Sequence, residues 1–356
     1  MKNVHLVIPD LFLPKDIAAE VCAGLHLPAL EKLLRRGSTT GSDSSTKPLV
    51  LSRVEGSERT GEGGCLENHL CELFAVPSAA EAPVAPISAA FDGLAEGCWM
   101  RADPVHLRLQ RDQMLLLPAM EISADEATQM CASLNEHFAG QGMEFFAPHP
   151  QRWYLRLDRL PRIHTKPLSQ VIGGDVRGAL PTGEEAGRWH QVFNEIQMML
   201  FSHPLNESRE ARGVLAINSL WLWGGGCDMN GTLQKTHDSV SSDDVLPEMF
   251  AAAAGIPFAA WLKNWHEAAT NHRQLLVWTG LRAALQSGHL AAWRSALQDF
   301  ENNYAAPLWQ ALRSGKIARL RLDILGRNNM RRVQLTRGDT WAFWRRAKRL
   351  AEYSKV

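Results

Sequence analysis

Arg209 and Arg212 stand three residues apart beside Asn206. On one helical turn their side chains face the same way. Two guanidinium forks side by side suit a phosphate or a carboxylate. His203 and Asn218 bracket them and add an imidazole and an amide. The same spacing also fits ordinary structure, with Asn206 capping a helix and the arginines paired to Glu207 or Glu210. A second group is Cys65, His69 and Cys71. A thiolate becomes a nucleophile when a neighbouring cation such as His69 lowers its pKa. As a zinc site the trio has poor spacing and no fourth ligand nearby. Asp10 ends the first apolar run, where a carboxylate serves as a backbone cap or as a ligand.

The arginines belong to a stretch from Thr182 to Gly226 around which the chain is organised. Thr182 and Glu185 have capping-box spacing, so a helix can start there. Trp189, Val192, Phe193, Ile196, Met199 and Leu200 fall on one helical face. Pro204 ends that helix, Asn206 caps a short turn, and Gly213 closes it. Ala216-Ile217 and Leu220–Trp223 read as a strand covered on both faces. Gly224, Gly225 and Gly226 follow at its end, where open α/β sheets collect ligands.

Elsewhere, Val4–Ile8 reads as a buried strand. A helix starts at Pro28, buries Leu30, Leu33 and Leu34, and stops at Gly37. Ser38–Gly64 is too polar to order itself and reads as a flexible insertion. Cys98–Asp158 is rich in strand patterns. Gln274–Thr279 is a short strand, and Leu290–Tyr304 is an amphipathic helix that Pro307 kinks. In Ile317–Leu325 the residues Leu320, Leu322 and Ile324 alternate with Arg319, Arg321 and Asp323, as in a half-exposed edge strand. The C-terminus reads as a basic helix carrying Arg345, Arg346, Lys348 and Arg349. These elements predict an α/β fold with a mostly parallel sheet flanked by helices. The main domain comprises 1–97 and 187–356, with 98–186 an inserted, smaller α+β subdomain.

Bulk properties exclude several classes. The 356 residues carry 38 basic and 38 acidic side chains, which argues against a nucleic-acid coat. The 12 Trp are explained first by core packing. Six scattered cysteines without a CxxC pair fit free thiols in a reduced cytosolic protein. Neither a signal-peptide pattern nor a stretch long enough to span a membrane is seen.

The segment HPLNESREARGVLAINSLWLWGGG resembles the HPVN…R…G…AN…LLRGAG segment of archaeal-type, cofactor-independent phosphoglycerate mutases, in the alkaline-phosphatase superfamily. Leu27–Leu33 with Gly37 is similar to that superfamily's TPNLDKLA…G helix, and Trp153–Leu157 lies where the family has HRAVLVLR. A bacterial group labelled RpfE-type regulatory proteins is closer still. The resemblance implies a phosphate-accepting nucleophile and two divalent metals, Mn²⁺ or Mg²⁺. It places Cys65 at the nucleophilic serine of GSDVAHL, with Leu66 for the aspartate and His69-Leu70 matching. It places Asp10 at the first metal aspartate, His289 at a surviving imidazole, and Asp323 at the final DH pair, whose histidine is lost. Gly280-Leu281-Arg282 stands where the family has the start of GPDEAGHDGD, and Trp223 stands at the RGAG arginine. His203, Asn206, Arg209, Arg212 and Asn218 are the ligand-side residues carried over. These departures imply a degenerate site that needs no cofactor and a binding or regulatory role, toward a phosphorylated small molecule or a protein. The alternatives are an active metal-dependent phosphotransferase or mutase using Cys65, and an interaction scaffold using the Trp-rich surface or the basic C-terminus.

Overall fold

A computed structural model describes residues 2–41, 65–77, 81–118, 121–227, 233–265, 272–326 and 329–355. Most of the expected insertion therefore lies outside the described residues. Twelve strands are seen among them: β1 (Asn3–Pro9), β2 (Ser38–Gly41), β3 (Cys98–Gln110), β4 (Gln113–Pro118), β5 (Met143–His149), β6 (Arg152–Leu157), β7 (Ser219–Gly226), β8 (Ser239–Ser242), β9 (Phe258–Ala260), β10 (Arg273–Val277), β11 (Arg319–Leu325) and β12 (Met330–Thr336). The chain divides into two units, residues 1–74 with 233–356, and residues 75–232. The boundaries expected from sequence, 97/98 and 186/187, are corrected by this division.

The discontinuous unit is built on a seven-stranded sheet of order β2-β12-β11-β1-β10-β8-β9. From β11 to β9 all neighbours are parallel, while β12 and β2 are antiparallel additions. Ser38–Gly41 is thus a strand rather than part of a flexible insertion. The period of two decides what each face carries. Val4, Leu6 and Ile8 of β1, Leu320, Leu322 and Ile324 of β11, and Val333 and Leu335 of β12 share one core. It also contains Leu30, Leu33 and Leu34 of helix Pro28–Arg36, Trp293 and Leu297 of helix Leu290–Phe300, and Leu308 and Leu312 of helix Ala306–Ser314. The intervening residues of β1, β11 and β12 face the other way. Because β11 lies between β1 and β12, it is not the edge strand that its alternation suggested.

The second unit is a five-stranded antiparallel sheet, β4-β3-β6-β5 with β7 on β3. Helices Ala124–His137 and Ala186–Phe201 pack on it through Met130, Leu134, Trp189 and Ile196. β7 therefore does not join the parallel sheet, and its glycines do not form a ligand loop. They lie within the strand, where helix Val84–Phe91 packs close: a Cβ on Gly226 would lie 2.7 Å from Pro83. Just beyond the Trp99–Gly226 pair, Cys98 and Cys227 form a disulfide across 129 residues of sequence, so the expectation of six thiols is corrected. Cys22, Cys65, Cys71 and Cys131 remain thiols. The C-terminal basic segment is not a helix either, since residues 342–349 are irregular between two 3-10 turns. Among the described residues, no helix is long and apolar enough to cross a membrane.

Helix Pro28–Arg36 begins at Leu27 with no side-chain cap of its own, which leaves N–H groups to be satisfied from elsewhere. Glu301, 3% exposed, supplies both bonds: its Oε1 accepts from Ala29 N at 2.7 Å and its Oε2 from Leu30 N at 2.9 Å. It does so from a π-helical turn, Glu301–Ala305, ahead of Pro307. Glu301→Ala is expected to lower stability by about 2–3 kcal/mol, measured by urea unfolding. A change within error would show that this remote cap is dispensable.

Candidate functional site on the parallel sheet

At the carboxyl end of β1, Asp10 adopts a left-handed backbone (φ 60°) while its N–H donates to Leu325 O at 2.9 Å. Its Oδ2 accepts from Arg282 Nε at 3.1 Å. Arg282 opens the short helix Arg282–Gln286 that follows β10. Burial alone would lower its pKa, but Glu67, Asp10 and Asp244 outweigh this and hold it above the usual value. Glu67 is 3% exposed in the first turn of helix Leu66–Leu73, and its Oε2 has no hydrogen-bond partner. Cys65 is the N-cap of that helix, its Sγ accepting from Asn68 N at 3.4 Å. Asp243 accepts from Thr279 N at 2.7 Å. The sheet edge is therefore acidic, with an arginine set on the one carboxylate that ends the first strand.

The middle of the sheet carries a second centre. Asp323 on β11 is fully buried. Its Oδ2 lies 3.0 Å from His5 Nε2, 3.1 Å from His69 Nε2 and 2.5 Å from Arg321 Nη2, and its Oδ1 accepts from Arg332 Nε at 3.0 Å. Alternation explains the gathering: His5, Arg321, Asp323 and Arg332 all sit on the face of β1, β11 and β12 opposite the aliphatic core. His69 comes from helix Leu66–Leu73. Beyond Asp323, His5 Nδ1 lies 3.3 Å from His237 Nε2, and Thr236 Oγ1 lies 2.9 Å from His237 Nδ1. His5 donates through Nε2 to Asp323, whose ionised carboxylate only accepts, and the single hydroxyl proton of Thr236 goes to Leu73 O at 2.9 Å.

Burial would raise the Asp323 pKa, but His5, His69 and Arg321 hold it far below the carboxylate range. His5 is pushed down to about 4 by burial, against the pull of Asp323. Burial and the neighbouring His5 push His237 down to about 3. For His69, burial is outweighed by Asp323 and Glu72, so its pKa is raised. Among the described residues, His5, His69 and Asp323 are the one group spaced like metal ligands. The donor set does not fit a divalent ion, because two guanidinium cations already sit on the carboxylate that would have to hold it.

Two of the residues anticipated at one metal centre, Asp10 and Asp323, are thus held by different cations at different levels of the sheet. Asp10 is on Arg282, and Asp323 is buried three residues down the neighbouring strand from the Asp10 level, about 10 Å away by strand rise. His289 is an exposed N-cap whose Nδ1 lies 3.0 Å from Ser287 Oγ. Cys65 is a helix cap. The anticipated ligand-side residues form a structural brace instead. His203 caps helix Pro204–Ala211 and lies 3.1 Å from Ser133 Oγ. Asn206 bonds Leu200 O and both backbone groups of Ile217. Arg209, fully buried, donates to Leu215 O and Glu121 O and pairs with Glu126 at 3.3 Å. Arg212 pairs with the same Glu126 at 2.5 Å, so the partner is neither Glu207 nor Glu210. Asn218 bonds both backbone groups of Leu107. Trp223 Nε1 donates to Asp103 at 2.7 Å. Sequence reasoning missed Arg321, Arg332, His5 and His237. The one available signal was that polar residues alternate with core residues in β1 and β11.

No family model matches the chain. It is 25% identical over 174 residues to the 2,3-bisphosphoglycerate-independent phosphoglycerate mutase of Methanosarcina barkeri, covering 46% of this chain and 43% of that protein. It is 37% identical over 60 residues to the "Probable 2,3-bisphosphoglycerate-independent phosphoglycerate mutase" of Geobacter sulfurreducens, covering 17% and 15%. The matched part spans less than half the length of these curated relatives. Among solved structures, the PH0037 protein of Pyrococcus horikoshii matches 99% of this chain and 92% of its own, with a TM-score of 0.53 and 12% identity. That identity speaks for the fold alone. The chain is phosphoglycerate mutase-like in sequence and α/β in fold.

The histidines make stability depend on pH with a definite sign. His5 and His237 have folded pKa values of about 4 and about 3, below the ordinary 6.5. Between pH 4 and 6.5 the unfolded chain therefore binds protons that the folded chain refuses, and stability rises with pH. His69, raised, works in the opposite sense near pH 6.5, where the folded chain holds its proton more firmly than the unfolded one. Each neutral histidine contributes about 1.4 kcal/mol per pH unit. Urea midpoints are expected to fall steadily from pH 6.5 to 4, with a shallower fall in His237→Gln. Equal slopes in the two proteins would refute the assignment.

Proposed function

We propose that this is a phosphoglycerate mutase-like protein whose metal and nucleophile centre is internally neutralised, and that it acts by binding or regulation rather than phosphoryl transfer. One observation carries the reading: the Arg282 guanidinium rests on Asp10, the carboxylate that the resemblance assigns to a metal. A two-metal site stabilises phosphoryl oxygens only if its ligands are open to cations, and here the cation is a side chain. The paired Asp323, the capping role of Cys65 and the engagement of Trp223 support the same conclusion. The likeness to phosphoglycerate mutases makes a phosphorylated small molecule the ligand class to test first. A regulatory role is in keeping with the RpfE-type resemblance.

The direct test is conversion of 3-phosphoglycerate with added Mn²⁺. No turnover above background is expected, and none is expected in Cys65→Ala. Turnover in the unmodified protein that disappears in Cys65→Ala would overturn the reading and establish an altered-nucleophile mutase.

A further inference from the structure

We infer that the loop 341–349 is a contact for an anionic lipid surface. Its sequence, Trp-Ala-Phe-Trp-Arg-Arg-Ala-Lys-Arg, places three large aromatic and four basic side chains within nine residues. Trp341 is 59% exposed, Phe343 76% and Trp344 69%. Soluble proteins seldom leave such side chains together in water without a partner to cover them. Arg345, Arg346, Lys348 and Arg349 are exposed as well.

The loop is anchored by buried residues at its ends and tied once in its middle, which leaves its aromatic rings in water. Ala342 is 5% exposed and Leu350 3%. Arg345 Nη1 donates to Arg36 O at 2.8 Å, and Leu350 N donates to Glu31 Oε1 at 3.2 Å. Phe343 and Trp344 meet edge to face at 5.3 Å. The segment is irregular, so its cations do not serve to offset a helix dipole. From Thr340 to Ala351 no acidic residue interrupts the run.

The chemistry selects the partner. Indole and phenyl rings settle at the headgroup level of a bilayer, and adjacent Arg and Lys are attracted to anionic lipids. A shallow aromatic wedge beside four cations offers both together. A nucleic-acid partner is less well matched, because backbone binding draws on a broad basic surface and this chain has no net charge.

Co-sedimentation of the full chain with vesicles tests the inference. One set is phosphatidylcholine, and the other is phosphatidylcholine with about one-third phosphatidylserine. Binding is expected to the second set alone and to weaken as salt rises. Arg345→Glu with Arg346→Glu should reduce partitioning at least tenfold, given about fivefold per cation lost. Phe343→Ala with Trp344→Ala should reduce it similarly. All four side chains are exposed, so circular dichroism should show both variants folded. Absence of binding to either set, equal binding to both, or variants that bind like the original protein would overturn the inference. So would loop-dependent capture of a single-stranded oligonucleotide in place of vesicles.

Discussion

A carboxylate removed from water must be matched by positive charge or by donors, and in this protein the chain's own side chains do the matching. Asp323 is the clearest case. It is buried in the middle of a seven-stranded sheet, and two guanidinium groups and two imidazoles converge on it from β1, β11, β12 and helix Leu66–Leu73. Removing one side of such a pairing leaves an uncompensated charge, at a cost of about 3–5 kcal/mol. The pairing also fixes register. A one-residue slip of β11 would turn Arg321 and Asp323 into the aliphatic core and Leu322 toward Arg332. Asp10 meets the same requirement at the sheet edge, where Arg282 supplies the charge.

That requirement separates framework from chemistry. The parallel strands and the flanking helices make an α/β framework. The two strand carboxylates, Asp10 and Asp323, are positions where this chain brings arginine. The brace around Arg209 behaves alike. Glu126 takes both Arg209 and Arg212, so the segment around them stabilises its own unit.

Local pattern made much of the fold legible. The strand at β1, the helix from Pro28 and the alternation in Ile317–Leu325 depend on neighbours in sequence, and the structure contains them. What was hidden depended on distant partners. Arg321 and Asp323 read as solvent-facing until β12 covered one side of β11 and a helix covered the polar face. β7 read as a parallel strand because an apolar run does not name its neighbour. Its actual partner, β3, lies more than a hundred residues earlier, as does the cysteine that joins Cys227. In the candidate site, Asp10 and Asp323 were visible as carboxylates, but their pairing was not. The cations that neutralise Asp10 and much of Asp323 come from other strands or from the helix after β10.

The central claim is that protein cations occupy the carboxylates a divalent ion would need. Mn²⁺ titration followed by electron paramagnetic resonance tests it most directly, because free and bound Mn²⁺ give different signals. The account predicts that the unmodified protein leaves submillimolar Mn²⁺ free, and that Arg282→Ala binds more of it by uncovering Asp10 beside Glu67 and Asp244. Tight Mn²⁺ binding by the unmodified protein that Asp10→Asn abolishes and Arg282→Ala does not strengthen would contradict it.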